Sequence, residues 1–489
     1  MPQEHPNVVL IMCDQMRFDC AGFAGHPAAK TPALDRMAQQ GVRFENAYCG
    51  SPVCSPARAS WLTGLYPHAH LQLKNYSSSN RGQYGCMLSP QTATLGDVFH
   101  DAGYACGIVG PWHLGDDYKP QHGFNAMWKT HRYQGRPNTD AYINYLREHN
   151  LEETFAQDGR PHLKWKYCMD EANPKVPVDV TALPTEHQRT SWTVDCGIDF
   201  VRSQSSPFFL FLSIKDPHPP LLPPAELMGD FPAPSMPVYA SWEDRLEGKP
   251  PFLQDPPWYA ARRFGYAGVQ QIVASYLALI AHIDNQLARL FDALTDAGIS
   301  QNTLVVFISD HGEMLGEHGY FGKCVMYEGS VRVPWLLKWP GRLPEGVVLS
   351  EPVAGVDLMP TLLDLAGVAL SATVHGRSLA SDIRTGREPR PKPVLAEIAS
   401  FPGIYDKDSD DQELAYTVMV RDGQWKYIRH RNALDELYDL NRDPEEMKNL
   451  APDPHQATRI KKMWSTVTTT LTEQGAGPYG WCLKESRES

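Results

Sequence analysis

The sequence predicts an α/β fold, with a large, mostly parallel sheet flanked by helices and a smaller antiparallel sheet near the C-terminus. Continuous apolar runs are typical of strands buried on both faces of a parallel sheet. Four such runs lie at 8–12, 104–110, 207–214 and 303–309. A long helical pattern at 269–297 separates the last two runs. Beyond residue 367 the apolar runs become short and closely spaced, which favours antiparallel strands joined by turns.

Two segments between these strands have a different character. Segment 116–204 is polar, aromatic and irregular, and we interpret it as inserted loops over the rim of a site, where substrate specificity usually resides. Segment 219–265 is crowded with proline and glycine, which predicts a loop or lid. A further helix is expected at 356–366, where it would cover the sheet.

The change of pattern at residue 367 predicts a catalytic domain at 1–367 and an α+β subdomain at 368–489. The subdomain would hold the small antiparallel sheet, with a last helix at 455–473 packed on it. An exposed tail or an oligomer contact would follow that helix. The expected strands of the small sheet lie at 394–398, 415–421, 424–430 and 436–439.

Composition favours a soluble enzyme that acts on a small molecule. The 489 residues are enough for a large core, and 42% of them are hydrophobic. The net charge of −12 argues against nucleic acid or an anionic membrane as a partner. The first apolar run is too short for a signal peptide or a membrane span, and the ten cysteines are scattered. We therefore expect a cytoplasmic protein with reduced thiols.

The stretch around Cys54 predicts a turn followed by a helix, with Ser51 or Ser55 as its cap and Gly64 at its end. Cys54 would then lie at a helix start, where unpaired N–H groups and the helix dipole favour an anion. Arg58, about one turn later, could point back at the same spot. Such a site suits a reactive thiolate, but a buried inert thiol fits these residues as well.

Polar, chemically active side chains follow each of the four predicted sheet strands. Because the carboxyl ends of parallel strands meet at one edge of a sheet, we expect these side chains to converge there. An acid and an imidazole at such an edge are costly to bury unless a cation or a substrate needs them. The residues are Asp14 with Gln15, His113, His218, and Asp310 with His311.

The motif Cys54-x-Pro56-x-Arg58 resembles the signature of the type I sulfatases, formylglycine-dependent members of the alkaline phosphatase superfamily. Three further motifs are similar to those of that family. They are Thr-Pro-x-Leu-Asp at 31–35, Trp-His-Leu-Gly at 112–115 and Pro-His-x-Pro at 217–220. One position departs from the family pattern. Pro111 stands where the family usually has a lysine, which removes a cation expected to hold the sulfate group.

The resemblance implies an alkaline-phosphatase-like fold, a modified nucleophile and one divalent metal ion. Cys54 would be oxidised to formylglycine (3-oxoalanine) by a formylglycine-generating enzyme, its partner during maturation. Hard oxygen donors favour Ca²⁺, and an added imidazole also allows Mn²⁺ or Mg²⁺. The implied ligands are Asp14, Gln15, Asp310, His311 and an oxygen of the modified Cys54.

The resemblance also implies catalytic roles. One hydroxyl of the aldehyde hydrate at position 54 would attack sulfur, while His218, helped by Lys323, protonates the leaving oxygen. His113 would then take the proton of the second hydroxyl, which expels sulfate and restores the aldehyde. Arg58 would hold and polarise the hydrate. His218 and Lys323 would also bind the substrate.

Three functions stay open at this point. The first is an arylsulfatase-like sulfuric ester hydrolase that cleaves a small organic sulfate ester. The second is a phosphonate monoester or phosphodiester hydrolase of the same superfamily, whose members share Gln15 and His311 and lack the lysine missing at Pro111. Asn75 would then contact the substrate. The third is a non-catalytic binding protein. The sequence does not reveal the physiological ester, or whether the chain forms a homo-oligomer.

Overall fold

The computed structural model describes most of the chain. The described residues are 5–76, 83–115, 121–128, 140–158, 176–205, 207–253, 261–399, 416–431, 433–480 and 482–483. The acidic run at 406–413, which we expect to be a solvated loop, lies outside them.

A mixed sheet of nine strands lies at the centre of the described residues. The strands are β1 (Asn7–Asp14), β2 (Val42–Tyr48), β3 (Ala105–Val109), β4 (Ala126–Trp128), β5 (Phe208–Pro217), β6 (Thr303–Ser309), β7 (Arg332–Lys338), β8 (Val347–Leu349) and β9 (Val353–Ala354). Their order is β4-β3-β5-β1-β6-β7-β2-β8, with β9 also paired to β2. Only the pairs that β7 makes with β6 and β2 are antiparallel. The predicted α/β fold with a mostly parallel sheet is confirmed.

Strand β1 occupies the middle of this sheet, and every one of its residues is buried. It pairs in parallel with β5 on one side and with β6 on the other, so that Ile11 lies opposite both Leu212 and Phe307. The carboxyl ends of the three strands therefore lie side by side. This register brings the residues that follow β1, β5 and β6 to one edge of the sheet.

Helices cover both faces of the sheet. They are α1 (Pro32–Gln39), α2 (Cys54–Thr63), α3 (Pro67–His70), α4 (Leu95–Asp101), α5 (Ala141–Glu148), α6 (Glu152–Asp158), α7 (Arg189–Ser203), α8 (Gly265–Asp296), α9 (Glu328–Val331), α10 (Leu358–Ala366), α11 (Ala380–Thr385) and α12 (Ala457–Gln474). Consecutive strand residues point to opposite faces. In β1, Val9 and Ile11 therefore pack with α7 and α8, whereas Val8 and Leu10 pack with α2 and α10.

The long helix α8 begins four residues before the predicted start and ends at Asp296. Together with the turn from Ala261 it is long and apolar enough to cross a bilayer, yet 67% of its most apolar stretch is buried inside the protein. It packs against α7 and β5. In this fold α8 is a core helix that supports one face of the sheet.

The small C-terminal sheet is antiparallel and has four strands within the described residues. They are β10 (Val394–Ile398), β11 (Thr417–Asp422), β12 (Trp425–His430) and β13 (Glu436–Asp439). Helix α12 buries Met463, Val467 and Leu471 against it. The same apolar cluster includes Tyr48 of β2 and Tyr327, so the small sheet and the main sheet share a core across the predicted domain boundary at residue 367.

Two expectations about irregular regions were wrong. Segment 116–204 contains α5, α6 and α7 in its described part, and the Asp140 carboxylate caps α5 by accepting the N–H groups of Tyr142 and Ile143 at 3.0 and 3.2 Å. The exposed tail expected after α12 is wrong for its described part, because the side chains of Tyr479 and Cys482 are fully buried, whereas the oligomer contact stays a prediction. Segment 219–265 is a series of short 3₁₀ turns in its described part. All nine described cysteines are free thiols, in line with the predicted reduced state.

Candidate active site

The carboxyl end of β1 presents Asp14 and Gln15, each 2% exposed. Gln15 has a φ of 75°, so the chain turns sharply as it leaves the strand. Its N–H group donates to Asp310 Oδ1 at 2.9 Å. Strand β1 and the residue after β6 are thus held together at the sheet edge by a backbone-to-carboxylate hydrogen bond.

The carboxyl end of β6 presents Asp310 and His311, both fully buried. The N–H group of His311 donates to the Asp310 carboxylate at 2.8 Å. Its ring nitrogen Nδ1 lies 2.9 Å from the Gly312 carbonyl oxygen. A carbonyl only accepts, so Nδ1 carries the proton and Nε2 bears a lone pair in the neutral ring. That Nε2 lies 3.3 Å from Cys54 Sγ.

Cys54 is the first residue of α2, and the preceding Val53 provides no side-chain cap. The predicted serine caps were therefore wrong. The Ser55 hydroxyl instead donates to the His113 carbonyl oxygen at 2.5 Å and accepts the N–H of Tyr76 at 3.0 Å. The serine ties the helix start to two neighbouring loops rather than to its own first turn. Gly64 ends the helix in the left-handed conformation, as predicted.

The Cys54 thiol lies at the centre of the predicted site residues. Its Sγ is 3.0 Å from Lys323 Nζ, 3.6 Å from Asp14 Oδ1 and 3.9 Å from Asn75 Nδ2. The Asn75 carbonyl oxygen accepts the N–H of Ser55 at 2.9 Å, which fixes the amide beside the start of α2. In a chain with formylglycine, Sγ stands in for the oxygen at that position.

Arg58 lies behind the thiol and is fully buried. Its Nε is 3.0 Å from Asp310 Oδ2, and one terminal nitrogen is 3.3 Å from Asp14 Oδ2. Its other terminal nitrogen donates to the Ser213 hydroxyl at 2.7 Å and to the Pro111 carbonyl at 2.9 Å. The guanidinium therefore binds the carboxylates that surround Cys54, although the sequence predicts that it holds the nucleophile itself.

The charges at this edge balance within a buried cluster. Burial alone would raise the pKa of Asp14, but the cationic groups of His218, Lys323 and Arg58 outweigh it and hold the pKa below its ordinary value. Burial, with the neighbouring Asp14 carboxylate, raises the pKa of Asp310. Burial would lower the pKa of Arg58, but the two carboxylates raise it. Carboxylates and cationic groups are thus interleaved around Cys54.

The two remaining histidines of the prediction follow β3 and β5. His113 has a φ of 63°, and its Nε2 lies 3.1 Å from the Tyr76 carbonyl oxygen. His218 Nδ1 lies 2.7 Å from the Pro219 carbonyl oxygen, and Lys215 Nζ donates to the His218 carbonyl at 3.2 Å. His113 is linked to the start of α2 through Ser55, whereas His218 acts on Asp14 through its charge.

Pro111 replaces the lysine expected from the sequence resemblance. Its carbonyl oxygen accepts hydrogen bonds from Arg58 and, at 2.8 Å, from the Ser213 hydroxyl. The segment after β3 thus keeps its link to the buried site through the backbone alone. Ser213, on β5, was not singled out from the sequence because an isolated serine in an apolar strand carries no pattern of its own.

Glu313 is a second buried residue whose role the sequence did not predict. It is 3% exposed and its carboxylate accepts a hydrogen bond from the Gln15 side-chain amide. This acid was visible in the sequence two residues after His311, but its hydrogen-bond partner, Gln15, follows a different strand, β1.

Four donors meet the requirements of a metal site within the described residues. One ligand atom each from Asp14, Cys54, Asp310 and His311 lies within 4.8 Å of the other three, and all four residues are buried. The Gln15 amide oxygen lies close by, 2.6 Å from Lys323 Nζ. Two carboxylates, an amide oxygen and one imidazole suit a hard divalent cation. The residues therefore fit the metal that the sequence resemblance implies.

Comparison with known families decides the class of this site. A family model described as Sulfatase matches residues 6–368. The chain belongs to the sulfatase family. A second model, described as N-sulphoglucosamine sulphohydrolase, C-terminal, matches residues 316–473 and so overlaps the first. The chain is therefore a hydrolase that acts on sulfate esters.

Individual relatives agree with this assignment over nearly the whole length. An arylsulfatase of Clostridium perfringens is 31% identical, and the alignment covers 93% of this chain and 92% of that protein. Arylsulfatase K of Xenopus laevis is 28% identical, with coverage of 91% and 79%. Among solved structures, the phosphonate monoester hydrolase of Agrobacterium radiobacter superposes with a TM-score of 0.80 at 25% identity, covering 96% of both chains.

Proposed function

We propose that this sulfatase cleaves a small organic sulfate ester, arylsulfatase-like, with formylglycine made from Cys54 and one divalent metal ion. The observation that carries the proposal is the buried cluster around Cys54, in which donors from β1, β6 and α2 lie within 4.8 Å of one another. The metal would be held by Asp14, Gln15, Asp310, His311 and an oxygen of the modified Cys54. Ca²⁺ suits this oxygen-rich set, with Mn²⁺ or Mg²⁺ as alternatives.

The modified group and the ion would supply the parts of the chemistry that no ordinary side chain offers. The hydrate of formylglycine at position 54 would provide two hydroxyls, one of them the nucleophile, and a bound cation would neutralise charge that develops on the ester oxygens. The location of Cys54 at a helix start adds backbone N–H groups that favour the same negative charge. A maturation partner, the formylglycine-generating enzyme, follows from this proposal.

The surrounding side chains would move protons and hold the ester. His218 protonates the leaving alcohol oxygen, and its Nδ1 hydrogen bond to the Pro219 carbonyl leaves Nε2 as the nitrogen that exchanges the proton. Lys323 Nζ, 3.0 Å from Cys54 Sγ, lies where it can bind an ester oxygen and assist His218. His113 accepts the proton of the second hydroxyl.

Arg58 contributes by holding Asp14 and Asp310 in place, since its hydrogen bonds go to these carboxylates. This proposal differs from the role in which Arg58 holds the hydrate directly. Asn75, 3.9 Å from Cys54 Sγ, is the remaining candidate for contact with the substrate.

Mass spectrometry of the tryptic peptide 44–58 tests the nucleophile. The protein is made with and without a formylglycine-generating enzyme, and fragment ions locate any modification. Because this peptide also contains Cys49, a Cys49→Ala variant serves as the matched control. An aldehyde at position 54, with aryl sulfate hydrolysis that depends on it, supports the proposal. An unmodified thiol with full activity would contradict it.

A second candidate function is phosphonate monoester or phosphodiester hydrolysis. It is favoured by the similarity to the phosphonate monoester hydrolase structure and by Gln15 and His311, which resemble the residues of such enzymes. Both reactions stabilise similar charged oxygens. Comparing kcat/KM for an aryl sulfate and the matching aryl phosphonate monoester decides between them. A phosphonate preference of several orders of magnitude would reverse the proposed order.

Location and assembly follow as further proposals from composition. The net charge of −12 supports an enzyme that binds neither nucleic acid nor an anionic membrane, and the ten scattered cysteines favour a cytoplasmic location. The state of assembly, monomer or homo-oligomer, is left to sedimentation measurements.

A further inference from the structure

The Glu313 carboxylate contacts Gln15, one of the proposed metal ligands, and accepts hydrogen bonds from three donors. One oxygen, Oε1, accepts the N–H groups of Leu315, at 3.1 Å, and of Gly322. The other, Oε2, accepts from the Gln15 side-chain nitrogen Nε2. With 3% exposure, Glu313 is shielded from water. Its hydrogen bonds therefore define a fixed orientation for the groups that they join.

The Gln15 amide is held at both ends by groups of opposite character. A carboxylate only accepts hydrogen bonds and an ammonium only donates them. The amide must therefore turn its NH₂ toward Glu313 and its carbonyl oxygen toward Lys323, whose Nζ lies 2.6 Å away. Reversing the amide would place an NH₂ against an ammonium and a carbonyl against a carboxylate.

The same carboxylate also steadies the segment that carries Lys323. Gly322, whose N–H it accepts, immediately precedes that lysine, and the Met314 N–H in turn donates to the Gly322 carbonyl at 2.7 Å. The backbone of Gln15 is fixed separately, because its carbonyl accepts the Tyr276 hydroxyl at 2.6 Å. Because the backbone is fixed, only rotation of the Gln15 side chain could turn its amide oxygen, Oε1, away from the cation site.

We propose that Glu313 is a positioning residue, which keeps the Gln15 carbonyl oxygen directed at the cation site and its NH₂ directed away. The inference rests on the proposed divalent metal site, and it adds a requirement that the ligand set does not contain. Partners behind a metal ligand typically change metal affinity by about 10–100-fold when they are replaced.

The first test is the isosteric Glu313→Gln variant. Its amide oxygen can still accept from Leu315 and Gly322, but its NH₂ now faces the Gln15 side chain. Gln15 then loses the carboxylate that requires its NH₂, so Lys323 alone opposes a reversal that would point the NH₂ at the cation site. Isothermal titration calorimetry of the metal-free variant with Ca²⁺, and separately with Mn²⁺, should show a metal affinity about 10–100-fold below that of the unsubstituted protein. No activity measurement is needed.

The second test exchanges the acid and the amide. In the double variant Gln15→Glu with Glu313→Gln, the new carboxylate at 15 accepts from the new amide at 313 and still directs an oxygen at the cation site. Both ends of a carboxylate are oxygens, so either orientation directs an oxygen at the cation. Metal affinity should therefore return to within a few-fold of its original value or exceed it.

The matched control is Glu317→Gln, the same change at a buried acid four residues later. Its carboxylate binds Arg17 at 2.8 Å, and the expected metal affinity is unchanged. Equal affinity of Glu313→Gln and the unsubstituted protein would overturn the positioning role while the metal site stands. Absence of metal binding in the unsubstituted protein would overturn both the site and the inference. A double variant as weak as Glu313→Gln also counts against the role.

Discussion

Replacing Arg58 with methionine should reveal how much of the site is held together by one buried guanidinium. Arg58 lies 3.0 Å from Asp310 and 3.3 Å from Asp14, and its side chain has no exposed surface. At an effective dielectric constant of about 20, each contact corresponds to about 5 kcal/mol of Coulomb attraction. Desolvation offsets much of this in the intact protein. Removing the cation, however, leaves two buried carboxylates without the guanidinium that contacts both.

We expect Arg58→Met to lower the free energy of unfolding of metal-free protein by about 3–5 kcal/mol, the usual cost of breaking a buried ion pair from one side. Urea unfolding in the presence of a chelator measures it. Adding Ca²⁺ should return part of the loss, because a cation bound by Asp14 and Asp310 replaces the missing positive charge.

The matched control is Arg289→Met. Arg289 makes an even shorter contact with Asp195, at 2.6 Å, but the two side chains are 49% and 40% exposed. An ion pair in water contributes about 0–1 kcal/mol. If Arg58→Met cost no more than this surface variant, the argument that the guanidinium holds the carboxylates would be refuted.

Two further predictions concern the supports of the site. Burial would lower the pKa of His68, but the Glu397 carboxylate, 2.6 Å away, raises it. The ion pair between them therefore stabilises the fold below pH about 6.5, and this stabilisation is lost as the pH rises through the raised pKa of His68. In urea unfolding, Glu397→Gln should lose more unfolding free energy, relative to the unsubstituted protein, at pH 6 than at pH 9. An equal loss at both pH values would contradict this prediction. A Cβ at Gly110, where φ is 100°, would lie 1.9 Å from the Ser213 carbonyl oxygen. Gly110→Ala should therefore cost at least about 1 kcal/mol more than Gly103→Ala, which shares the positive φ (87°) but has nothing within 4 Å; equal unfolding free energies would exclude the clash.

The strands of the main sheet were predictable because burial on both faces is a local property of the sequence. The run at 8–12 became β1, which extends one residue further at its start and two at its end, and the run at 303–309 coincides with β6. Helix α5 was missed for a physical reason. It has eight residues and buries only Tyr142 and Leu146, so its apolar stripe is too narrow to stand out in a polar segment.

The residues at the strand ends were predictable from topology, but their partners were not. The parallel pairing of β1 with β6, with Cys13 opposite Ser309, is enough to place Asp14 beside Asp310. Nothing in the local sequence indicates that the Glu313 side chain reaches Gln15, which is 298 positions away. A hydrogen bond of this kind depends on which side chains the finished fold brings together.

The case of Arg58 shows why such partners matter for function. Its position one turn after Cys54 predicts that it points at the nucleophile. In the fold it meets carboxylates that are 44 and 252 positions away, and in a buried site these are stronger acceptors than a thiol. We therefore propose that Arg58 acts on the reaction through Asp14 and Asp310. Its replacement should weaken cation binding and stability first, and substrate affinity only as a consequence.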